Sequence, residues 1–587
     1  MSGFLDERSI RSGTWQAFER IVARYLFTGG WQSVRLVGGS GDGGADVLAT
    51  RGTRKWLVQV KHRQAPTGTQ AFQETVNAGA RYQADVLVLV SASGFTNDLR
   101  ELREAQATTG IDVQLWDVPV LLGFDERLRS EALVERVPRG YELREYQEQA
   151  CGAVVGEWLA DKSGSALVVL ATGLGKTFVA ATAIRRIANL QDGAKVLVLA
   201  HTNPLLRQLE KAFWPFLRKE EGTLIANGEE AFSWELLERT PFVFASRDTL
   251  AARIVDGATL PEFDLVLVDE CHHLGAKTYD AILDGLRVGE EGGPFLLGLT
   301  ATDWRPDGSN LESLFGDPVC RVDLIRGLKS GFLTNVDYRM FTDNIDWDAL
   351  REERGGNYSP KKINRTLFIK EWDDAVVGHV RSAWDELAAS GATPRGIVFC
   401  STIDHAKRMV EQLNAMGFTR SEALYSGRDL PPVDRNKLLW EFSDGQVGIL
   451  CAVDVLNEGV DVPDVNLVVF QRVTHSRRIF VQQLGRGLRL ADGKDKVVVL
   501  DFVNDVRRFA EGLHLQGEID EDGPRQGQPE QIAIGSSVTF VKANSEDVDG
   551  ANFLREWLGD ADAVAEAGED VSILEFPDPA LVPPRSP

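Results

Sequence analysis

The chain has 587 residues, too many for one hydrophobic core, and its 43% hydrophobic and 26% charged residues are those of an ordinary folded protein of about three or four domains. Its apolar runs fall well short of the roughly 20 residues that cross a bilayer, and the charged start MSGFLDERSIR is unlike a signal peptide, so a cytoplasmic protein with no membrane association is expected. Five cysteines (Cys151, Cys271, Cys320, Cys400, Cys451) stand far apart without a CxxC pair, which excludes a disulfide framework and a structural zinc centre and predicts reduced, buried thiols.

A formal charge of −23 disfavours contact with a phosphate backbone, but it is unevenly spread. Residues 511–587 hold 17 Asp and Glu against 4 Lys and Arg, whereas the first 140 residues are close to neutral. The tail reads as a solvated acidic segment; the alternative is a stretch that mimics DNA or screens a basic groove. Short β-rich apolar runs alternate with amphipathic stretches of helical length, the pattern of an α/β protein. Breaks near RVPRG (136–140), REERGGN (351–357) and after Phe509 divide it into an N-terminal domain at 1–125, a linker at 126–138, α/β units at 139–330 and 371–510 separated by a connector at 331–370, and the tail at 511–587.

In the first domain a helical stretch, WQAFERIVARYLF, carries Glu19 and precedes VRLVGGSGDGGADV. Gly39, Gly41 and Gly44 have the GxGxxG spacing of a dinucleotide-binding turn, which requires a helix directly afterwards. The chain continues instead with a strand, a turn at Arg51 to Thr53 and a second strand, KWLVQVKHR, and so forms a hairpin. Alternate strand residues share a face, so Gln59 and Lys61 can both face Asp46 across the hairpin. A carboxylate, a second oxygen ligand and an ammonium suit phosphodiester hydrolysis: the oxygens of Asp46 and Gln59, with Glu19 as a further candidate ligand, hold Mg²⁺, and Lys61 positions water and offsets developing charge. A hairpin with an incidental inward Lys, or a fold that binds DNA without cutting it, are the alternatives.

The second domain opens its strand ALVVL (166–170) onto ATGLGKT (171–177) and a helix-forming run, the context of a phosphate-binding loop. Backbone N–H groups around Thr172, Gly173 and Gly175 cradle phosphates, Lys176 reaches the β and γ phosphates of ATP, and Thr177 joins the Mg²⁺ shell. The strand LVLV (265–268) then runs into Asp269 and Glu270, placed for a second Mg²⁺ contact and for polarising the attacking water. His272 and His273 have no companion ligands and are expected to couple this acidic pair to the next motif.

From these residues the chain resembles superfamily 2 helicases over residues 139–510, in particular the branch with the motor subunits of type I and type III restriction enzymes. The resemblance implies two RecA-like parallel-sheet lobes. It places Arg144 and Gln147 (LREYQ) at adenine, His201, Thr202, Ser246 and Thr249 at the nucleic-acid backbone, and Thr300 and Thr302 in a coupling motif. In the second lobe it gives Gly459 and Asp461 (VLNEGVDVP) and Gln482, Arg486 and Arg489 (FVQQLGRGLR) to the nucleotide across the cleft. An arginine lent by a second domain makes hydrolysis depend on closure. Residues 10–120 resemble the Mrr-type branch of the PD-(D/E)xK restriction-endonuclease fold through Glu19, GDGGAD with Asp46, QVK and VLVLVSASGFT; in that branch Gln takes the place of the usual acid, as Gln59 does here.

Together these imply an ATP-dependent DNA helicase or translocase with a Mg²⁺-dependent endonuclease, acting in restriction or anti-phage defence on DNA, double-stranded in preference. No segment looks like a target-recognition domain, so a protein partner or sensing of modified DNA supplies recognition. The rivals are a repair or remodelling translocase whose nuclease fold is a non-cutting clamp, and an ATP-gated switch that recruits partners.

Overall fold

The computed structural model describes residues 4–37, 44–108, 112–125, 142–274, 277–301, 311–322, 332–341, 370–427, 429–453, 465–471 and 496–502, with a few shorter segments. Within the N-terminal domain, α1 (Glu7–Ser12) and α2 (Trp15–Thr28) lead into β1 (Gln32–Leu36), and the expected hairpin is formed by β2 (Val47–Arg51) and β3 (Arg54–Lys61). Its two-residue turn uses Gly52 at φ +61°, a conformation that costs glycine little. Beyond it come α3 (Thr69–Tyr82), β4 (Val86–Ser91), α4 (Asn97–Ala107), β5 (Val113–Asp117) and α5 (Val118–Asp125). The sheet runs β1-β2-β3-β4-β5, antiparallel up to β3 and parallel after it. An antiparallel strand where a dinucleotide fold needs a helix removes the GxGxxG reading.

Strand alternation divides this sheet between two helical layers. Val47, Ala49, Val58 and Val60 pack with Phe18, Val22 and Leu26 of α2, whereas Leu48 and Leu57 pack with Ala78 and Tyr82 of α3. Leu57, Gln59 and Lys61 therefore share the α3 face, and Leu48 and Asp46 share it across the hairpin.

The first lobe contains α6 (Glu145–Ala160), β6 (Ser165–Leu170), α7 (Lys176–Leu190), β7 (Val196–Ala200), α8 (Asn203–Phe213), β8 (Thr223–Ala226), α9 (Trp234–Arg239), β9 (Phe242–Ser246), α10 (Arg247–Val255), β10 (Leu265–Val268), α11 (Lys277–Gly285), β11 (Phe295–Thr300) and β12 (Cys320–Val322). Its parallel sheet has the order β12-β6-β11-β10-β7-β9-β8, and its central strands are buried throughout, as layers of helix on both sides require. A second parallel sheet is centred on Gly396–Phe399, flanked by Ile449–Val453 and Leu467–Phe470. It extends past Lys496–Asp501 to Asn335–Phe341, Val538–Ala543 and an antiparallel edge strand, Gln531–Ile534, so the stretch read as a connector contributes one strand and the acidic tail two. The sequence hides the first of these because Asp337 and Arg339 interrupt it; Arg339 Nη2 lies 2.6 Å from both Asp337 and Glu386, and Lys496 Nζ lies 3.3 Å from Asp337, so these charges are paired within the fold. Four of the five cysteines are buried and all five are free, and among the described residues no helix is long and apolar enough to cross a membrane.

The N-terminal domain touches both lobes. Arg20 of α2, itself buried, lies 3.0 Å from Glu210 and 2.5 Å from Glu230 of the first lobe, and Arg24 donates to the carbonyls of Glu221 (2.7 Å) and Arg218 (2.9 Å). On the opposite side the helix Pro432–Ser443 of the second lobe inserts Trp440 among Val37, Ala45, Leu48, Leu57, Ala78 and Tyr82. Arg81–Asp434 and Lys55–Asp444 ion pairs, each at 2.6 Å, border that contact.

Removing one member of a buried charge group leaves the others desolvated and unpaired, so Arg20→Ala is expected to destabilise the protein by about 3–5 kcal/mol. Chemical denaturation of the full chain measures this; a loss within the range of an exposed pair, below about 1 kcal/mol, contradicts the burial of the group.

Candidate functional site

Two sets of polar groups lie at the carboxyl ends of strands. In the first lobe β6 ends in Leu170, and the loop to α7 turns through Gly173 (φ +92°) and Gly175 (φ +81°), backbone that a side chain would strain. A Cβ on Gly175 would also stand 2.8 Å from Gln147 Nε2. No side chain caps α7, so its first N–H groups are left for an anion at the loop. The Thr172 hydroxyl is buried with no hydrogen-bond partner among the described residues, which fits a ligand-facing loop.

Lys176 Nζ stands 3.5 Å from Glu270 Oε1, so the loop lysine and the acidic pair after β10 are brought together as the sequence predicted. Glu270 takes φ +49°, unusual for a non-glycine residue and frequent at functional sites. Asp269 is 5% exposed; burial, and then the adjacent Glu270 carboxylate, push its carboxyl up to about 7. His272 Nδ1 lies 3.3 Å from Glu270 and 3.1 Å from the Thr300 hydroxyl, a direct contact between the acidic pair and the coupling motif. His273 packs between His272 and His201, with ring centroids 4.4 and 4.5 Å away.

Gln147 uses both ends of its amide inside the protein: its oxygen accepts from the Arg144 N–H (2.9 Å) and its nitrogen donates to the Leu174 carbonyl (3.0 Å). Tyr146, which the sequence did not single out, donates to the same carbonyl at 2.9 Å. These residues tie the start of α6 to the phosphate loop. The Arg144 guanidinium donates to the Phe332 carbonyl. Gly459, Asp461, Gln482, Arg486, Arg489 and Thr302 lie outside the described residues.

The second set is on the α3 face of the N-terminal sheet. Asp46 sits opposite Gln59, its N–H donating to the Val58 carbonyl and its Oδ2 accepting from the Val60 N–H at 2.5 Å. Gln59 is 1% exposed. Its amide is satisfied when the nitrogen donates to Thr75 Oγ1 (2.6 Å) and the Ala71 carbonyl (2.9 Å), which turns its oxygen to Lys61 Nζ at 2.9 Å. Glu19 is buried on α2. A residue that no sequence signal marks, Glu74 of α3, stands 2.8 Å from Lys61 Nζ. The donors on this face are oxygens, which suits a hard divalent cation such as Mg²⁺; Asp46 and Gln59 would hold it. Among the described residues no three acidic, His or Cys groups form a ready-made cage.

A hairpin-bearing sheet with a lysine and carboxylates on one face, joined to two parallel-sheet lobes of which the first carries a phosphate loop and an acidic pair, defines an endonuclease-type domain on a two-lobed helicase motor. Comparison makes this specific. Residues 10–124 match the restriction endonuclease family model of the Mrr catalytic type, residues 140–305 the type III restriction enzyme res subunit, and residues 379–491 the helicase conserved C-terminal domain, so three successive parts of the chain are similar to an Mrr-type domain, a restriction-enzyme subunit and a helicase domain. It is 28% identical over 400 residues to the type I restriction enzyme EcoAI endonuclease subunit of Escherichia coli, covering 63% of this chain and 47% of that one. It is 26% identical over 377 residues to the putative mitochondrial ATP-dependent helicase irc3 of Schizosaccharomyces pombe, covering 64% of this chain and 59% of that one. The chain thus spans 47% and 59% of these two relatives. The DNA-bound type ISP restriction-modification enzyme LlaBIII superposes with a TM-score of 0.50 at 17% identity, over 96% of this chain and 43% of that one, a likeness of fold.

If Asp269 holds Mg²⁺ as the sequence reading expects, its raised carboxyl must first release its proton, and the Mg²⁺ concentration for half-maximal ATP turnover is expected to rise by up to about tenfold per pH unit below 7. Titrating Mg²⁺ between pH 6 and 8 measures this; a requirement that does not change with pH counts against the raised Asp269.

Proposed function

We propose that this protein is an ATP-driven DNA translocase or helicase that also cuts DNA in a Mg²⁺-dependent reaction, serving restriction or defence against foreign DNA. The observation that carries this reading is the presence in one chain of two phosphate-directed constellations, Lys176 with Glu270 in the motor and Lys61 with Asp46 and Gln59 in the N-terminal domain.

At the motor, the α7 amides and Lys176 bind the phosphates, Thr177 and Asp269 hold Mg²⁺, and Glu270 orients water. By the family resemblance Arg486 and Arg489, together with Gln482, Gly459 and Asp461, serve the nucleotide from the second lobe, so that turnover depends on closure. His272 passes the state of Glu270 to Thr300, and His201, Thr202, Ser246 and Thr249 meet the nucleic-acid backbone. At the N-terminal site the cation would supply charge stabilisation; Asp46 and Gln59 would hold it, with Glu19 of α2 as a further candidate ligand, and Lys61 positions the attacking water and offsets charge on the phosphate. Recognition of a particular or modified sequence falls to a partner protein or to the DNA-contacting surface itself.

Lys176→Ala is expected to lower ATP turnover by roughly 10²- to 10³-fold or more, the scale of losing one preorganised charge-stabilising group. Asp46→Ala and Lys61→Ala are expected to abolish nicking of supercoiled plasmid while DNA-stimulated ATP turnover persists. A wild-type protein that turns over ATP with DNA but leaves plasmid intact across double-stranded, single-stranded and methylated substrates indicates a clamp in place of a nuclease.

A further inference from the structure

Mg²⁺-assisted hydrolysis of a phosphodiester works best with carboxylates, because a neutral amide oxygen neutralises none of the cation's charge. Gln59 therefore leaves the N-terminal site one negative charge short beside Asp46. Glu19, the acid the sequence offers, is carried by α2, whose buried face packs on Val47, Ala49, Val58 and Val60. Alternation turns Asp46, Gln59 and Lys61 the other way, toward α3.

The α3 face has its own acid. Glu74 Oε2 lies 2.8 Å from Lys61 Nζ, and the side chain is 35% exposed, open enough to meet solvent and substrate. The neighbouring Thr75 and the Ala71 carbonyl hold the Gln59 nitrogen, so the amide presents its oxygen on the same side and accepts from the same ammonium at 2.9 Å. Lys61 thus sits between two oxygens, one charged and one neutral. Gly44 brings the Asp46 segment against this group: at φ +90°, a Cβ there would meet the Gln59 side-chain amide at 2.9 Å and the Glu74 carbonyl at 3.1 Å. Although burial raises the Glu74 carboxyl, the Lys61 ammonium outweighs it and holds Glu74 below its ordinary range, so it is ionised at neutral pH.

Resting on the nuclease reading above, we propose that Glu74 is the second acidic residue of the cleavage site, supplying from α3 the carboxylate that Gln59 lacks and sharing the divalent cation with Asp46 and the Gln59 oxygen. Lys61 pairs with Glu74 in this structure; with a divalent cation held by Glu74, Asp46 and the Gln59 oxygen, the ammonium would be available to the phosphate. No motif marks this acid, because it lies 13 residues beyond Lys61 on a different element.

The test uses the full chain with Glu74→Gln, Gln59→Glu and the double variant, alongside Asp46→Ala. Plasmid nicking is measured against Mg²⁺ concentration, and Mn²⁺ binding without nucleotide or DNA is titrated by calorimetry. Glu74→Gln is expected to cut at least about tenfold more slowly, to need more Mg²⁺ and to bind Mn²⁺ more weakly at the Asp46-dependent site, with ATP turnover unchanged. Gln59→Glu in the Glu74→Gln background is expected to restore both readouts, since the charge returns to the same face. If Asp46→Ala is inactive but Glu74→Gln cuts like the parent, Glu74 is not part of the site and the proposal fails while the nuclease reading stands. Loss of cutting with unchanged Mn²⁺ binding and no rescue by Gln59→Glu assigns Glu74 a purely structural role and overturns the proposal. Persistent cutting by Asp46→Ala removes the nuclease reading on which it rests.

Discussion

Arg20 is enclosed between Glu210 and Glu230 at the seam between the N-terminal domain and the first lobe, out of reach of water. A guanidinium desolvated there is tolerated only while both carboxylates stay in place, so the contact fixes α2 on the first lobe far more tightly than exposed ion pairs would. Everything the N-terminal sheet carries is thereby held at a set position relative to the phosphate loop. The same sheet receives Trp440 of the second lobe against its other face, in a cluster that includes Ala45, next to Asp46. The N-terminal domain thus contacts both lobes, the first through Arg20 and the second through Trp440.

Within the motor the organising force is the parallel sheet. Its buried strands end together at one edge, and the loops leaving them bring Lys176, Asp269, Glu270 and Thr300 within a few side chains of one another although they are separated by up to 124 positions. His272 touches both Glu270 and Thr300, giving the acidic pair a contact that senses the adjoining strand. Gln147 and Tyr146 both donate to the Leu174 carbonyl, which ties the start of α6 to the glycine turns of the loop.

Some of this was open to reading along the chain because the chemistry is local. A strand, ATGLGKT and a helix are contiguous, and a two-residue period across a two-residue turn is enough to set Gln59 and Lys61 on the face of Asp46. The five scattered cysteines likewise pointed to free thiols. Other features were opaque for an equally physical reason. Asn335–Phe341 mixes charged and apolar residues and becomes a strand only when Lys496–Asp501 and Val538–Ala543 pair with it and Glu386 and Lys496 neutralise its charges.

The order of the strand, loop and helix motifs determined by itself that a hairpin-bearing sheet precedes a strand, loop and helix unit with an acidic pair, since backbone hydrogen bonding and side-chain period act over a few residues at a time. Which acid stands beside Lys61, and that Trp440 completes a core begun by the N-terminal domain, were decided only in three dimensions. Those are matters of packing between elements distant in the chain, where burial and charge pairing select neighbours that no local spacing records.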